Sequence, residues 1–216
     1  MPLRLDHLIY VQTKLANRIK VRSLKRKINY IGGVDVAITR DSLVGCIGVF
    51  EFPGLKLVDS AWSRAPVEFP YIPGFLSFRE IPVLLKCWNR IKRKPDLILV
   101  DGQGIAHPRS LGLATHLGIL LNRPTIGCAK SHLYGEYRIP GEKKGSYALL
   151  KKGEKKLGLV LRTRDRINPL FVSPGHLVDF NDCRKYVLAT AVKYRIPEPI
   201  RFAHKTAGEK ARQLNV

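Results

Sequence analysis

The chain has 216 residues, which suits a single domain, 1–216, with a full-sized core. With 45% hydrophobic and 25% charged residues it has a globular composition, and no apolar run approaches the roughly 20 residues of a membrane span. Lys and Arg number 38 against 17 Asp and Glu, a net charge of +21, which attracts polyanions. Nucleic-acid backbones are the commonest large ones and an acidic membrane surface is the rival, and charge alone does not separate them.

Met1 to Tyr10 carries Asp6 and His7 among its leucines and lacks the apolar run and cleavage site of a signal peptide. The expected location is therefore cytoplasmic, with no membrane partner. Cys46, Cys87, Cys128 and Cys183 are dispersed without a C-x-x-C pair, which excludes a zinc or redox motif of that kind. They are expected to be buried, reduced thiols.

Residues 3–20 place Leu5, Leu8, Ile9, Leu15 and Ile19 at helical spacing, and a basic turn with Arg22, Lys25, Arg26 and Lys27 follows. Three strand-like runs come next: Tyr30–Ile38, Val44–Phe52 and Lys56–Arg64. Turn signals at Arg40-Asp41-Ser42 and Pro53-Gly54 separate them, so they read as an antiparallel meander. After Pro66 the period changes, with Ile81, Leu84, Leu85, Trp88 and Ile91 marking a helix. Leu97–Val100 is a short apolar strand of the buried parallel type, Ser110–Leu121 a helix, and Thr125–Ala129 another buried strand. Gly141–Arg164 reads as a basic hairpin around Lys152-Gly153, and Leu170–Ser173 as a last strand. Asp179 opens a further helix, with Cys183, Val187, Ala191 and Tyr194 on one face before Pro197. The order β-β-β-α-β-α-β with a helical end predicts an α/β fold. Its mixed sheet joins an antiparallel meander to parallel strands and is flanked by helices, the element order of ribonuclease H-like folds.

Three carboxylates stand where chemistry is plausible. Asp35 lies inside the apolar strand Ile31–Ile38, and an unpaired carboxylate is costly to bury there. It either reaches solvent at a strand edge or binds a cation. Asp101 ends the run Leu97–Val100, where ligands bind open α/β sheets, although an Asp there also caps turns. Gly102 and Gly104 do not complete a dinucleotide fingerprint, and read as glycines that admit a ligand to the backbone. Ser77 and Glu80 have capping-box spacing, but Pro82 disfavours a helix that starts at Ser77. A helix beginning near Pro82 would leave Glu80 free. Asp35, Glu80 and Asp101 together can hold one or two Mg²⁺ ions, hard cations that take oxygen ligands and share substrate phosphates.

Around them, Lys130 follows the Thr125–Ala129 strand and can hold a phosphate or be a solvated loop lysine. His107 and His116 lack the spacing of a helical zinc pair, and His116 reads as a partly buried helix residue. Pro70-Tyr71-Ile72-Pro73-Gly74 is a stiff apolar segment. It is either a packed connector or a wedge of the sort that distorts duplexes.

These segments resemble one family, endonuclease V. The matches are Gly33–Val36, Pro70–Glu80 (PYIPGFLSFRE), Val100–Arg109 (VDGQGIAHPR), Pro124–Lys130, Asn168–Phe171, Ser173–His176 and Pro197–Pro199, in order along nearly the whole chain. The resemblance implies a ribonuclease H-like fold and a Mg²⁺-dependent cut, with Mn²⁺ as a substitute ion. The cut would fall at the second phosphodiester bond 3′ to deoxyinosine, leaving the lesion in the nicked strand. It implies that Asp35, Glu80 and Asp101 are the metal-site carboxylates and that His204 is a fourth site residue. His107 and Lys130 would lie near the scissile phosphate. Tyr71, with Pro70, Ile72 and Pro73, would be the strand-separating wedge, and Gly74, Leu76, Gly102 and Gly112 would surround the extruded base. Gln103 stands where other members have His, a change expected to matter little.

The partner so implied is inosine-containing DNA, double- or single-stranded. RNA is an alternative, as is a basic nucleic-acid binder without catalysis. No apolar seam is left over, so a monomer is expected.

Overall fold

The computed structural model describes residues 4–214. Its elements in chain order are α1 (Leu5–Ala16), β1 (Tyr30–Ile38), β2 (Ser42–Glu51), β3 (Leu57–Pro66), α2 (Leu76–Arg90), β4 (Leu97–Val100), α3 (Leu113–Leu121), β5 (Thr125–Ala129), β6 (Tyr147–Lys152), β7 (Lys155–Leu161), β8 (Leu170–His176), α4 (Phe180–Thr190) and α5 (Glu198–Leu214). One eight-stranded sheet runs β3-β2-β1-β4-β5-β8-β7-β6. The first three strands form the expected antiparallel meander, and β1, β4 and β5 run parallel. β8 returns antiparallel to β5 and carries the β6–β7 hairpin at the far edge.

Helices cover both faces of the sheet. Val34, Ile98 and Val100 pack with Ile81, Leu84 and Cys87 of α2 and with Leu113 and Leu117 of α3. On the other face, Ile31, Leu97 and Leu99 meet Cys183, Tyr186 and Val187 of α4 and Ile200 of α5. This double cover is why β4 is apolar at every position, since a strand without a wet face shows no alternation. Truncating Leu99, which is fully buried there, to alanine would cost about 2–5 kcal/mol.

Several helix ends differ from the sequence expectation. α1 is shorter than 3–20, and residue 3 lies outside the described residues. α2 begins at Leu76 and not near Pro82, so Glu80 lies inside the helix. Ser77 makes no capping box, because its Oγ is hydrogen-bonded to His116 Nδ1 at 3.0 Å. Pro82 removes one amide donor, and burial of Ile81, Val83, Leu84 and Cys87 holds the helix through it. α3 begins at Leu113 because Ser110 has a positive φ of 57°. Asp179 does cap α4, with Asp182 closing the box. That helix stops at Thr190, short of Tyr194, because the backbone leaves helical geometry at Ala191. The Arg195 guanidinium then anchors the connector to the carbonyls of Lys130 and Pro169, at 2.8 and 2.9 Å.

α5 brings the end of the chain onto β1 and β2. Its inward side presents Ala203, Ala207 and Ala211, small residues that permit close approach. The approach is tightest at Gly33, where a Cβ would lie 2.1 Å from the carbonyl carbon of Pro199.

Candidate active site

Asp35 and Asp101 become neighbours through the parallel pairing of β1 and β4. Val34 pairs with Val100, so Asp101, at the carboxyl end of β4 where ligands bind such sheets, lies beside Asp35 within β1. His204, in the second turn of α5, places Nδ1 2.6 Å from Asp35 Oδ2. Lys130, just after β5, donates from Nζ to the Asp101 carboxylate. Ligand atoms of Asp35, Asp101 and His204 lie within 4.8 Å of one another. Glu80, buried on α2, is close enough to feel the charge of both aspartates, but it is not among the three residues whose ligand atoms converge, and His204 takes that third place.

The electrostatics favour a cation. Burial raises the Asp35 pKa, with the Asp101 charge adding to it, while the His204 hydrogen bond and Lys130 oppose. Burial pushes Glu80 up to about 8, reinforced by Asp35 and Asp101 and weakly opposed by Arg79. Clustered acids that burial drives toward protonation lack compensating charge, and a hard divalent ion with oxygen ligands supplies it. The donor set therefore fits a divalent metal.

Beside this group lies a recess of about 120 Å³ between the start of α2 and the loop from Gly102 to Leu113. Gly74, Leu76, Gly102 and Gly112 all line it, as do Tyr71 and Pro73, while Pro70 and Ile72 occupy the same loop outside the lining. Tyr71 stands at its mouth with 65% of its surface exposed. His107 is in this recess and not in the carboxylate group. Burial, with Arg109 beside it, lowers the His107 pKa to about 4, so the ring is neutral at pH 7. Its Nδ1 accepts the Arg109 amide at 3.2 Å, which leaves the proton on Nε2. His116 is buried and is likewise lowered to about 4 by burial.

Two features of the recess go beyond the sequence reading, which expected the Gln103 side chain to matter little and did not single out Gln12. Gln103 lines it, with Nε2 donating to the Ser131 carbonyl at 3.1 Å and Oε1 buried without a partner among the described residues. Gln12, fully buried on α1, donates to the Gly74 carbonyl at 2.9 Å, and Arg109 donates to the same oxygen at 2.9 Å. Arg109 Nε also donates to Gln12 Oε1, and its guanidinium lies 4.6 Å from the Phe75 ring centroid. This clamp holds Gly74 at φ +81°, where a Cβ would be strained. A glutamine on the inward face of α1 was the only sequence signal for it. Gln12→Ala leaves Arg109 and the Gly74 carbonyl short of partners. It is expected to lower stability by about 2 kcal/mol in urea titration, with unchanged m.

Comparison with known proteins places the chain in a family. The Endonuclease V family model matches residues 13–205. Endonuclease V of Dictyoglomus turgidum is 45% identical over 199 residues, 92% of this chain and 87% of that protein. The crystal structure of endonuclease V from Streptomyces avermitilis superposes with a TM-score of 0.94 at 38% identity, covering 100% of this chain and 96% of that one. Ciona intestinalis endonuclease V, solved with a 24mer DNA containing an inosine followed by a ribo-adenosine, gives 0.83 at 27% identity, covering 97% and 98%. The family match spans the carboxylates, the recess and His204 alike, so the chain belongs to the endonuclease V family and is a nuclease, a metal-dependent phosphodiester hydrolase.

Proposed function

We propose that the protein nicks DNA at the second phosphodiester bond 3′ to deoxyinosine, using Mg²⁺ held by Asp35, Asp101 and Glu80, and leaves the lesion in the cut strand. The observation that carries this reading is the adjacency of two parts. A base-sized recess with an exposed tyrosine at its mouth shares the Gly102 backbone with the carboxylate group next to it. A base turned out of the stack would occupy the recess, with Tyr71 and its flanking prolines filling the gap left behind. The bound ion supplies Lewis-acid activation of the phosphodiester and of the attacking water. His204 fixes the Asp35 carboxylate, and Lys130 holds Asp101 and stands ready to pair with a phosphate oxygen. His107, being neutral, brings no charge to the recess.

The four cysteines are free and buried, in keeping with a reducing cytoplasmic setting. No helix among the described residues is long and apolar enough to cross a membrane.

The deciding experiment is a nicking assay on labelled duplex DNA with one deoxyinosine, with Mg²⁺ or chelator. A metal-dependent nick at the stated bond is expected. The Ciona substrate, with its ribo-adenosine after the inosine, favours one second reading, cleavage of inosine-containing RNA. A cut confined to the matching RNA strand would replace the first reading by the second. Binding without cutting in either Mg²⁺ or Mn²⁺ would reduce the protein to a nucleic-acid binder.

The raised Glu80 pKa makes metal binding pH-dependent. The folded chain keeps the Glu80 proton up to about pH 8, whereas the ordinary carboxyl loses it near 4.5. Between those values the metal-free folded state holds an extra proton, so this group's contribution to stability falls as pH rises. A divalent ion must displace that proton, so its affinity rises with pH. The Tm increase on adding Mg²⁺ is therefore expected to be larger at pH 8 than at pH 6. Glu80→Gln should flatten the difference, and a pH-independent increase in the native protein would remove Glu80 from the ligand set.

A further inference from the structure

A groove of about 710 Å³ runs along α5 on the side of the sheet opposite the recess. Lys130 and His204, which contact Asp101 and Asp35, form its inner end, and Arg201 and Lys205 line it farther out over Phe50 and Phe202. The recess belongs to the α2 and α3 face of the sheet and the groove to the α5 face, with Asp101 at the end of β4 and Asp35 within β1 between them. A strand whose base sits in the recess and whose phosphate meets the carboxylates must continue over this edge.

We propose that the groove along α5 binds the nucleic-acid strand on the 3′ side of the cut, through its phosphates. The direction rests on the functional reading above, in which the cut lies 3′ to the base in the recess. From Glu198 to His204 the helix rises about 9 Å at roughly 1.5 Å per residue. Consecutive phosphates of one strand advance about 3.4 Å along a duplex axis and lie farther apart in an extended single strand, so about two of them fit beside it.

The lining is suited to phosphate. Glu198 is the one acid among the lining residues, and it is already paired with Arg201 at 3.3 Å. Arg201 is stacked on Tyr194, its guanidinium carbon 3.4 Å from the ring centroid, which fixes the fork in place. Lys205 pairs only loosely with Glu209, at 3.8 Å and with 78% of the lysine side chain exposed. A pair that open is worth little and yields readily to a phosphate.

The test compares single-stranded DNA carrying one deoxyinosine and either one or six nucleotides beyond the scissile bond. Affinity is measured in chelator, so binding is read apart from cutting. The native protein is expected to hold the longer 3′ flank about tenfold more tightly. Lys205→Glu should remove most of that gain, leave the short-flank affinity unchanged and reduce the salt slope on the long strand by about 0.7. Lys205→Gln should fall between, and the rate at saturating strand with Mg²⁺ should stay within about twofold. Lengthening the 5′ flank should affect native and variant proteins equally.

Equal weakening of both strands by Lys205→Glu, or a loss that follows the 5′ flank, overturns the proposal. If no strand is cut, the functional reading fails by itself, and the flank dependence of binding still decides the groove.

Discussion

Asp101→Ala is expected to lower the single-turnover rate of cleavage beside deoxyinosine by at least about a thousandfold, with affinity for the same strand in chelator changed less than about threefold. Asp101 is mostly buried, at the end of β4, and takes part in the group with Asp35 and His204. Loss of a partner behind a metal ligand costs about 10–100-fold, and loss of a ligand itself should exceed that. Removing one group that stabilises developing charge costs about 10²–10³. The substitution also frees Lys130, whose ammonium then has a phosphate as its nearest anion, so binding is spared. A fall confined to the rate identifies an interaction made in the transition state. A fall of less than about tenfold would remove Asp101 from the chemistry.

Gly33→Ala is the second change with a large expected effect, here on stability. The new Cβ would lie 2.1 Å from the Pro199 carbonyl carbon, 2.2 Å from its oxygen and 2.5 Å from the Ile200 nitrogen. All three are backbone atoms and cannot rotate aside, so the start of α5 must lift from β1. Overpacking of this kind costs about 3 kcal/mol, and urea unfolding should show it as a lower midpoint with unchanged m. Lifting α5 also draws His204 from Asp35, so cleavage should fall together with stability. Gly54→Ala, which meets nothing within 4 Å, is the matched control and should stay within about 0.5 kcal/mol.

The parts of the fold that were legible in the sequence are those set by local pattern. Leu97–Val100 announces a doubly covered strand because all four residues are apolar, and Asp101 follows at the end where ligands bind. Asp35 was conspicuous as a carboxylate in an apolar strand, although its surroundings depend on residues far away. His204 is 169 positions from Asp35, and family resemblance alone pointed to it as a site residue, while its contact with Asp35 was not foreseen. Element order does not disclose that β8 inserts between β5 and β7, because hairpin and return strand pair by shape across the sheet. The start of α2 stayed open between Ser77 and Pro82 because the local cost of Pro82 is offset by tertiary burial that the sequence does not display. The Gln12 clamp was invisible for a similar reason, since its partners come from two other segments.

The contacts of α1 and α5 make the site depend on segments far from it in sequence. Gln12, near one end of the described chain, sets the recess, and His204, near the other, completes the carboxylate group. Neither helix carries one of the three carboxylates, yet each holds a part of the site in place, so loosening either one is expected to disturb the site while the sheet that bears Asp35 and Asp101 stays intact.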